Sequence, residues 1–309
     1  MPERSAVARL QQLTTLALLA AAVVWLMMAQ WSASPLRAAA GSLVIMFGHG
    51  LFLAMEFVLL RWASRADPTA RAAWKQLLRA WWVEVWQDIR VFAWRQPFCW
   101  RDAPDHLGPD VRGQRGTVFI HGFVCNRGFW LPWLKRVRHD GHPFVAVNLE
   151  PIFGSIDEYS AIVERAVCQI TQATGLPPVL VCHSMGGLAA RAWLRQSGNS
   201  SRVHHVITIG TPHQGTWLAR FSRVSNGRQM RPRNPWLLAL QAAEAKASLP
   251  PFTCWYSNCD NVVFPPQCAT FPGADNRLLP GAAHVDLAFR PEVFAGFLAI
   301  LDSPSTNLL

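Results

Sequence analysis

The chain has 309 residues, of which 51% are hydrophobic and only 16% charged, with 29 Lys and Arg against 19 Asp and Glu. That length holds one large domain or two small ones. The formal charge of +10 suits an anionic membrane surface; a nucleic-acid partner is set aside, because no binding motif accompanies the charge.

The apolar excess gathers in the first sixty residues. Two runs, about 13–31 and 38–61, approach the ~20 residues needed to cross ~30 Å of hydrocarbon as a helix. The short stretch "SASPLR" between them carries a proline, as a hairpin would need. Segment 1–65 is therefore read as a membrane anchor of two transmembrane helices. A cleaved signal peptide is the alternative for the first run, with Arg4 and Arg9 as its basic flank. His49 and Glu56 lie inside the second run, where ionisable groups are costly; they are expected to pack on the first helix or lie near an interface. From Arg61 to Arg101 eight basic residues face three acidic ones, and Arg4 and Arg9 precede the first run. Positive-inside bias then puts the C-terminal part on the cytoplasmic side of an inner membrane of bacterial type, with the exported or periplasmic face as the alternative. Seven cysteines show no zinc-site spacing. Cys254, Cys259 and Cys268 are close enough to pair if the domain is exported, and stay reduced if it is not.

Residues 66–107 form a juxtamembrane segment in which Trp74, Trp81, Trp82, Trp86, Trp94 and Trp100 alternate with arginines and Lys75. Helical spacing of Trp74, Leu78, Trp81 or Trp82 and Val85 fits an interfacial amphipathic helix. The same tryptophans would equally cover a face of the domain that follows.

From 108 to 309 the texture changes to short β-rich runs alternating with helical stretches. Strands are expected at 117–122, 143–151, 178–184, 205–212 and 252–257, and helices at 156–173, 186–196, 235–247 and 291–301. Such alternation means βαβ units and a mostly parallel sheet with helices on both faces. Ligands then gather at the carboxyl ends of the strands. There, in "PVLVCHSMGG", Ser184 falls between a strand and a helix, with Gly186 and Gly187 just after it. The glycines allow strand and helix to approach closely, and the turn pushes the hydroxyl above the sheet.

This nucleophile elbow resembles that of the α/β-hydrolase superfamily, and the sequence from about 108 to 300 follows the superfamily's pattern. Cys182 departs from it, standing where glycine is usual and the following helix crosses closely. The chain order of serine, acid and histidine that the resemblance implies is met by Ser184, Asp260 in "YSNCDNVVFP" and His284 in "LLPGAAHVDLAF". Asp275 and Asp286 compete for the acid; one lies in a polar glycine-bearing stretch and the other only two residues past the histidine. The resemblance also implies an oxyanion hole from the amides of Met185 and Phe123, the latter in a His121-Gly122 loop similar to that of bacterial triacylglycerol lipases and esterases. "GTPHQGT" (210–216) is similar to a lipase motif beside the pocket, with His213 on its wall. His183 is expected behind the nucleophile, and His204 and His205 in structural positions.

The function expected is a membrane-anchored serine carboxylic-ester hydrolase acting on lipid-like acyl esters, needing no cofactor and no metal. A thioesterase, amidase or acyltransferase with the same residues, or a non-catalytic binding module, are the alternatives. Residues 217–250 carry six basic residues and one acidic one among Leu, Phe and Trp, which suits a short lid on the pocket or a solvated loop with one helix.

Overall fold

A computed structural model describes residues 4–32 and 34–303. Ala33, in the expected hairpin linker, and the last residues of the 108–309 segment lie outside the described residues.

The chain opens with α1 (Ala6–Ser32), whose apolar span Ala6–Ala29 is long enough to cross a bilayer and only 11% buried. The second apolar run differs from expectation. It forms two helices, α2 (Pro35–Phe47) and α3 (His49–Ala63), bent by 56° at Gly48, so one helix rather than clearly two has the form of a straight span. Gly48 permits the bend: an added Cβ there would come within 2.6 Å of the Val44 carbonyl oxygen. Beyond the bend, α3 leaves the direction of α2 and packs on the rest of the protein. Its Phe57 and Leu60 are buried with Leu77 and Ala80 of α4 (Trp74–Asp88) and with Cys259, Phe264 and Ala283. Burial of this apolar face is what holds α3 to the loops above the sheet.

Helix α4 is two-faced. Leu77, Ala80, Glu84 and Val85 point inward, while Trp74, Leu78, Trp82 and Trp86, four residues apart, are exposed. Trp81 also turns inward and donates its indole N–H to Gly50 O at 2.7 Å. The helix continues as a π-helical stretch, Ile89–Arg95, into a last turn α5 (Gln96–Phe98).

The sheet has six parallel strands in the order β2-β1-β3-β4-β5-β6. They are β1 (Thr117–Ile120), β2 (Phe144–Ala146), β3 (Val179–His183), β4 (His205–Ile209), β5 (Phe252–Tyr256) and β6 (Asp275–Leu278). Alternation along the strands divides the core. Val118, Ile120, Leu180 and Cys182 face α7 (Ser160–Thr174) and α8 (Met185–Ser197). Phe119, Val179, Val181 and Ile207 face α6 (Leu131–His139) and α12 (Pro291–Leu301). β6 was not anticipated; Asp275 begins this polar edge strand rather than lying in a loop.

The segment 217–250 contains α9 (Ser225–Gln229) and α10 (Pro235–Glu244). It is pinned down from within. Glu244 holds the fully buried Arg191 of α8 in a two-pronged ion pair, Nη2–Oε2 2.6 Å and Nε–Oε1 2.8 Å. Trp236 and Asn226 add hydrogen bonds to Asp157 and to the Ile152 carbonyl. The last short helix before α12 is α11 (His284–Leu287), which His284 begins.

Candidate active site

Ser184 sits at the carboxyl end of β3 with φ 53° and ψ −129°, a conformation an L-residue adopts only when its surroundings enforce it. Two hydrogen bonds and two close backbone approaches do so. Ser184 N–H donates to Ile209 O at 2.9 Å, and Thr211 Oγ1 donates to Ser184 O at 2.8 Å. Gly186 lets α8 cross β1, because a Cβ there would lie 2.6 Å from the carbonyl oxygens of both Ile120 and His121. Gly122 likewise lets the loop after β1 meet the elbow, since its Cβ would come within 2.8 Å of Ser184 Cβ. Cys182 is accommodated in the core, and burial pushes its thiol well above its usual range.

Asp260 follows β5 and is buried. Its Oδ1 accepts N–H bonds from Val262 at 3.0 Å and Val263 at 2.7 Å, and both carboxylate oxygens lie 3.0 Å from His284 Nδ1. With Nδ1–H donated to the carboxylate, Nε2 is left as the lone-pair nitrogen of the neutral ring. Gly210, at φ 57°, gives both groups room: a Cβ would meet Asp260 Oδ2 and His284 Nδ1 at about 3 Å. The competing acids are elsewhere, Asp275 exposed beside Arg277 and Asp286 paired to Arg290 at 2.9 Å.

Ser184 and His284 line one cavity of about 270 Å³, together with Gly122, Phe123, Val124, His183 and Asn261. Met185 N–H opens α8 immediately after Ser184, and Phe123, in the loop after β1, lines the cavity. Val124, beside Phe123, has φ 52°, strained for a β-branched residue, and its carbonyl accepts from Gln11 Nε2 of α1 at 3.2 Å.

The remaining wall comes from His49, Phe52, Leu53 and Glu56 of α3 and from Glu84 and Asp88 of α4. No residue of 217–250 lines this cavity, whose cover comes from the N-terminal helices.

Residues 117–253 match the sequence model of the alpha/beta hydrolase family. The fold is that of an α/β hydrolase. Among solved structures, this chain is similar to a lipase of Bacillus licheniformis in mature form, with 17% identity over 64% of this chain and 95% of that one and a TM-score of 0.55. It is also similar to lipase B of Aspergillus fumigatus, with 18% identity, 67% of this chain, 57% of that one and a TM-score of 0.55. A phospholipase of Legionella pneumophila shares 12% identity over 62% of this chain and 60% of that one, with a TM-score of 0.51. No curated protein matches the chain in sequence.

Within this fold His121 and His213 lie away from the cavity. His121 Nε2 accepts Leu149 N–H at 3.0 Å, so its Nδ1 carries the proton given to Gly122 O at 2.9 Å. Burial lowers this imidazole to about 4. His213 is buried against Phe271, Thr208 and Arg191, and burial holds it neutral. Both brace loops.

His183 lies behind the nucleophile as expected, and further residues at the site had no motif role to reveal them. His183 stacks on Phe129 at 4.3 Å and its Nε2 bonds the His284 carbonyl at 3.2 Å; burial drives its basicity far down, so it is the N–H donor. Asn261 Oδ1 accepts His284 N–H at 3.2 Å, and its Nδ2 donates to Glu56 Oε2 at 2.7 Å. Asp88 borders the cavity; burial first, then the Glu56 carboxylate, raise it to about 7. Only the placing of Glu56 in an apolar run signalled these carboxylates, and the structure puts it on the cavity wall rather than against α1. Among the described residues, no cluster of three or more His, Cys, Asp or Glu is arranged to hold a metal ion.

Proposed function

We propose that this chain is a membrane-anchored serine hydrolase of carboxylic esters with lipid-like acyl groups. The observation that carries the reading is the strained Ser184 sharing a cavity with a His284 that is hydrogen-bonded to Asp260. Ser184 Oγ attacks the acyl carbon, and its proton passes to His284 Nε2. Asp260 holds the ring and balances the imidazolium charge. The oxyanion forms within reach of the Met185 and Phe123 amides, donors of the kind that contribute about 3 kcal/mol each. As the intermediate collapses, the C–O bond to the leaving alcohol breaks and His284 gives that oxygen its proton. Water then attacks the acyl-serine as it loses a proton to His284; the bond from the acyl carbon to Ser184 Oγ breaks, His284 returns the proton to that Oγ, and the acid is released. No cofactor enters these steps.

An apolar cavity wall of Phe52, Leu53, Phe92, Phe123 and Val262 suits an acyl chain. The lipases and the phospholipase among the similar structures support a lipid-like ester. Membrane attachment is supported by α1 and by the exposed aromatic stripe of α4, whose neighbours Arg71, Lys75 and Arg79 suit anionic headgroups. The basic flank after α3 favours the cytoplasmic side.

The test is fluorophosphonate labelling of the membrane-bound protein beside Ser184→Ala and His284→Ala. Wild type is expected to label, with both variants silent. A folded wild type that does not label, or a Ser184→Ala protein that labels equally, would remove the reading.

A further inference from the structure

The reaction above makes no use of Glu84, yet this carboxylate is carried into a packed interface at 1% exposure. Burying a carboxylate is costly unless donors meet it. Here the donors belong to the segment that bears His284. Glu84 Oε1 accepts Val285 N–H at 2.7 Å, and Oε2 accepts Asp286 N–H at 3.0 Å.

The reason lies in α11. This helix has four residues and begins at His284, and its N-cap is Ala283, which has no oxygen to give to the free N–H groups of the first turn. One turn of helix cannot fix its own orientation. All three leading N–H groups are instead taken from outside. Val285 and Asp286 bond Glu84 directly, and His284 N–H bonds Asn261, which is itself held by Glu56. Glu84 is on α4 and Glu56 on α3, about two hundred residues away in sequence.

We infer that Glu84, together with Glu56 acting through Asn261, are positioning residues for His284, so that the N-terminal helices complete the active site rather than only tether it. The inference rests on the proposed role of His284. The two carboxylates act as a displaced helix cap: they fix where the first turn of α11 starts, and so where the imidazole stands between Asp260 and Ser184. A group that sets geometry in this way affects turnover more than substrate affinity.

The experiment uses the full chain in native membranes or detergent, with the fluorophosphonate labelling rate and hydrolysis of a soluble nitrophenyl ester as readouts. Glu84→Ala is expected to lower kcat by about 10- to 100-fold, the range typical of outer-sphere orienting groups, with KM little changed. Glu84→Gln keeps one acceptor oxygen and is expected to recover part of the rate. Glu56→Gln, which can still accept from Asn261, should lose less than Glu56→Leu; this pair decides the matter if Glu84→Ala does not fold. Wild-type kcat in folded Glu84→Ala, a loss confined to KM, or equal losses in each Gln and apolar pair would overturn the inference. A wild type that fails to label would instead remove the serine-hydrolase reading, and this one with it.

Discussion

Replacing Gly186 by alanine tests whether the close crossing of α8 over β1 is what arms the elbow. In a free helix the change would be favourable by up to about 1 kcal/mol. Here the added methyl would lie 2.6 Å from two backbone oxygens, Ile120 O and His121 O, neither of which can rotate away. Relief to even 3.0 Å needs about 0.4 Å of movement by the helix or the strand. The helix carries Met185 N–H and the strand leads into the loop of Phe123, so the movement separates the two amides. Misplacement by about 1 Å can cost on the order of 10²-fold in rate; a loss of about tenfold or more in labelling rate is expected, with about 1–3 kcal/mol of destabilisation from overpacking. The assay is the second-order rate constant for fluorophosphonate inactivation, read beside Tm. A Gly186→Ala protein with wild-type reactivity and equal or higher Tm would refute the reasoning.

Glu244→Leu should strand the fully buried Arg191 and cost roughly 3–5 kcal/mol, read as a fall in Tm. Soluble-ester turnover below the melting point should hold at the wild-type level, because residues 217–250 do not line the cavity; lost turnover in the folded variant would place that segment over the site. Asp88 gives a pH signature. Between the ordinary carboxyl range and about 7 the folded chain keeps a proton that the unfolded chain has released, so stability falls as pH rises through that interval. Tm measured from pH 5 to 8 should decline less steeply in Asp88→Asn than in wild type; parallel curves would show that Asp88 is not perturbed.

Much of the site was legible because its signals are local. The elbow is written in consecutive residues, Ser184 to Gly187, and the acid and histidine follow in the order the superfamily uses. The parallel sheet was legible from strands buried on both faces, which read as unbroken apolar runs. β6 escaped because it is a polar edge strand, Asp-Asn-Arg-Leu, with no apolar face to announce it. The break in the second apolar run was not legible because hydropathy measures composition, whereas the burial of Glu56 beyond the bend at Gly48 depends on a surface formed two hundred residues later. His121 and His213 carry motif positions but spend their nitrogens on neighbouring backbone and side chains. Glu84 had no signal at all, since the N–H groups it meets are anonymous backbone.

The cover over the cavity is made from the same helices that lead away from the apolar α1, and this bears on any attempt to obtain a soluble form. Trimming the chain to residues 108–303, which hold the sheet and its helices, would leave Ser184, Asp260 and His284 intact in sequence. It would also strip one wall from the cavity, bare Phe264 and Ala283, and leave the first turn of α11 uncapped. Solubility and a complete site are therefore opposed in this protein: the hydrophobic piece that looks dispensable on a domain diagram is where the pocket closes.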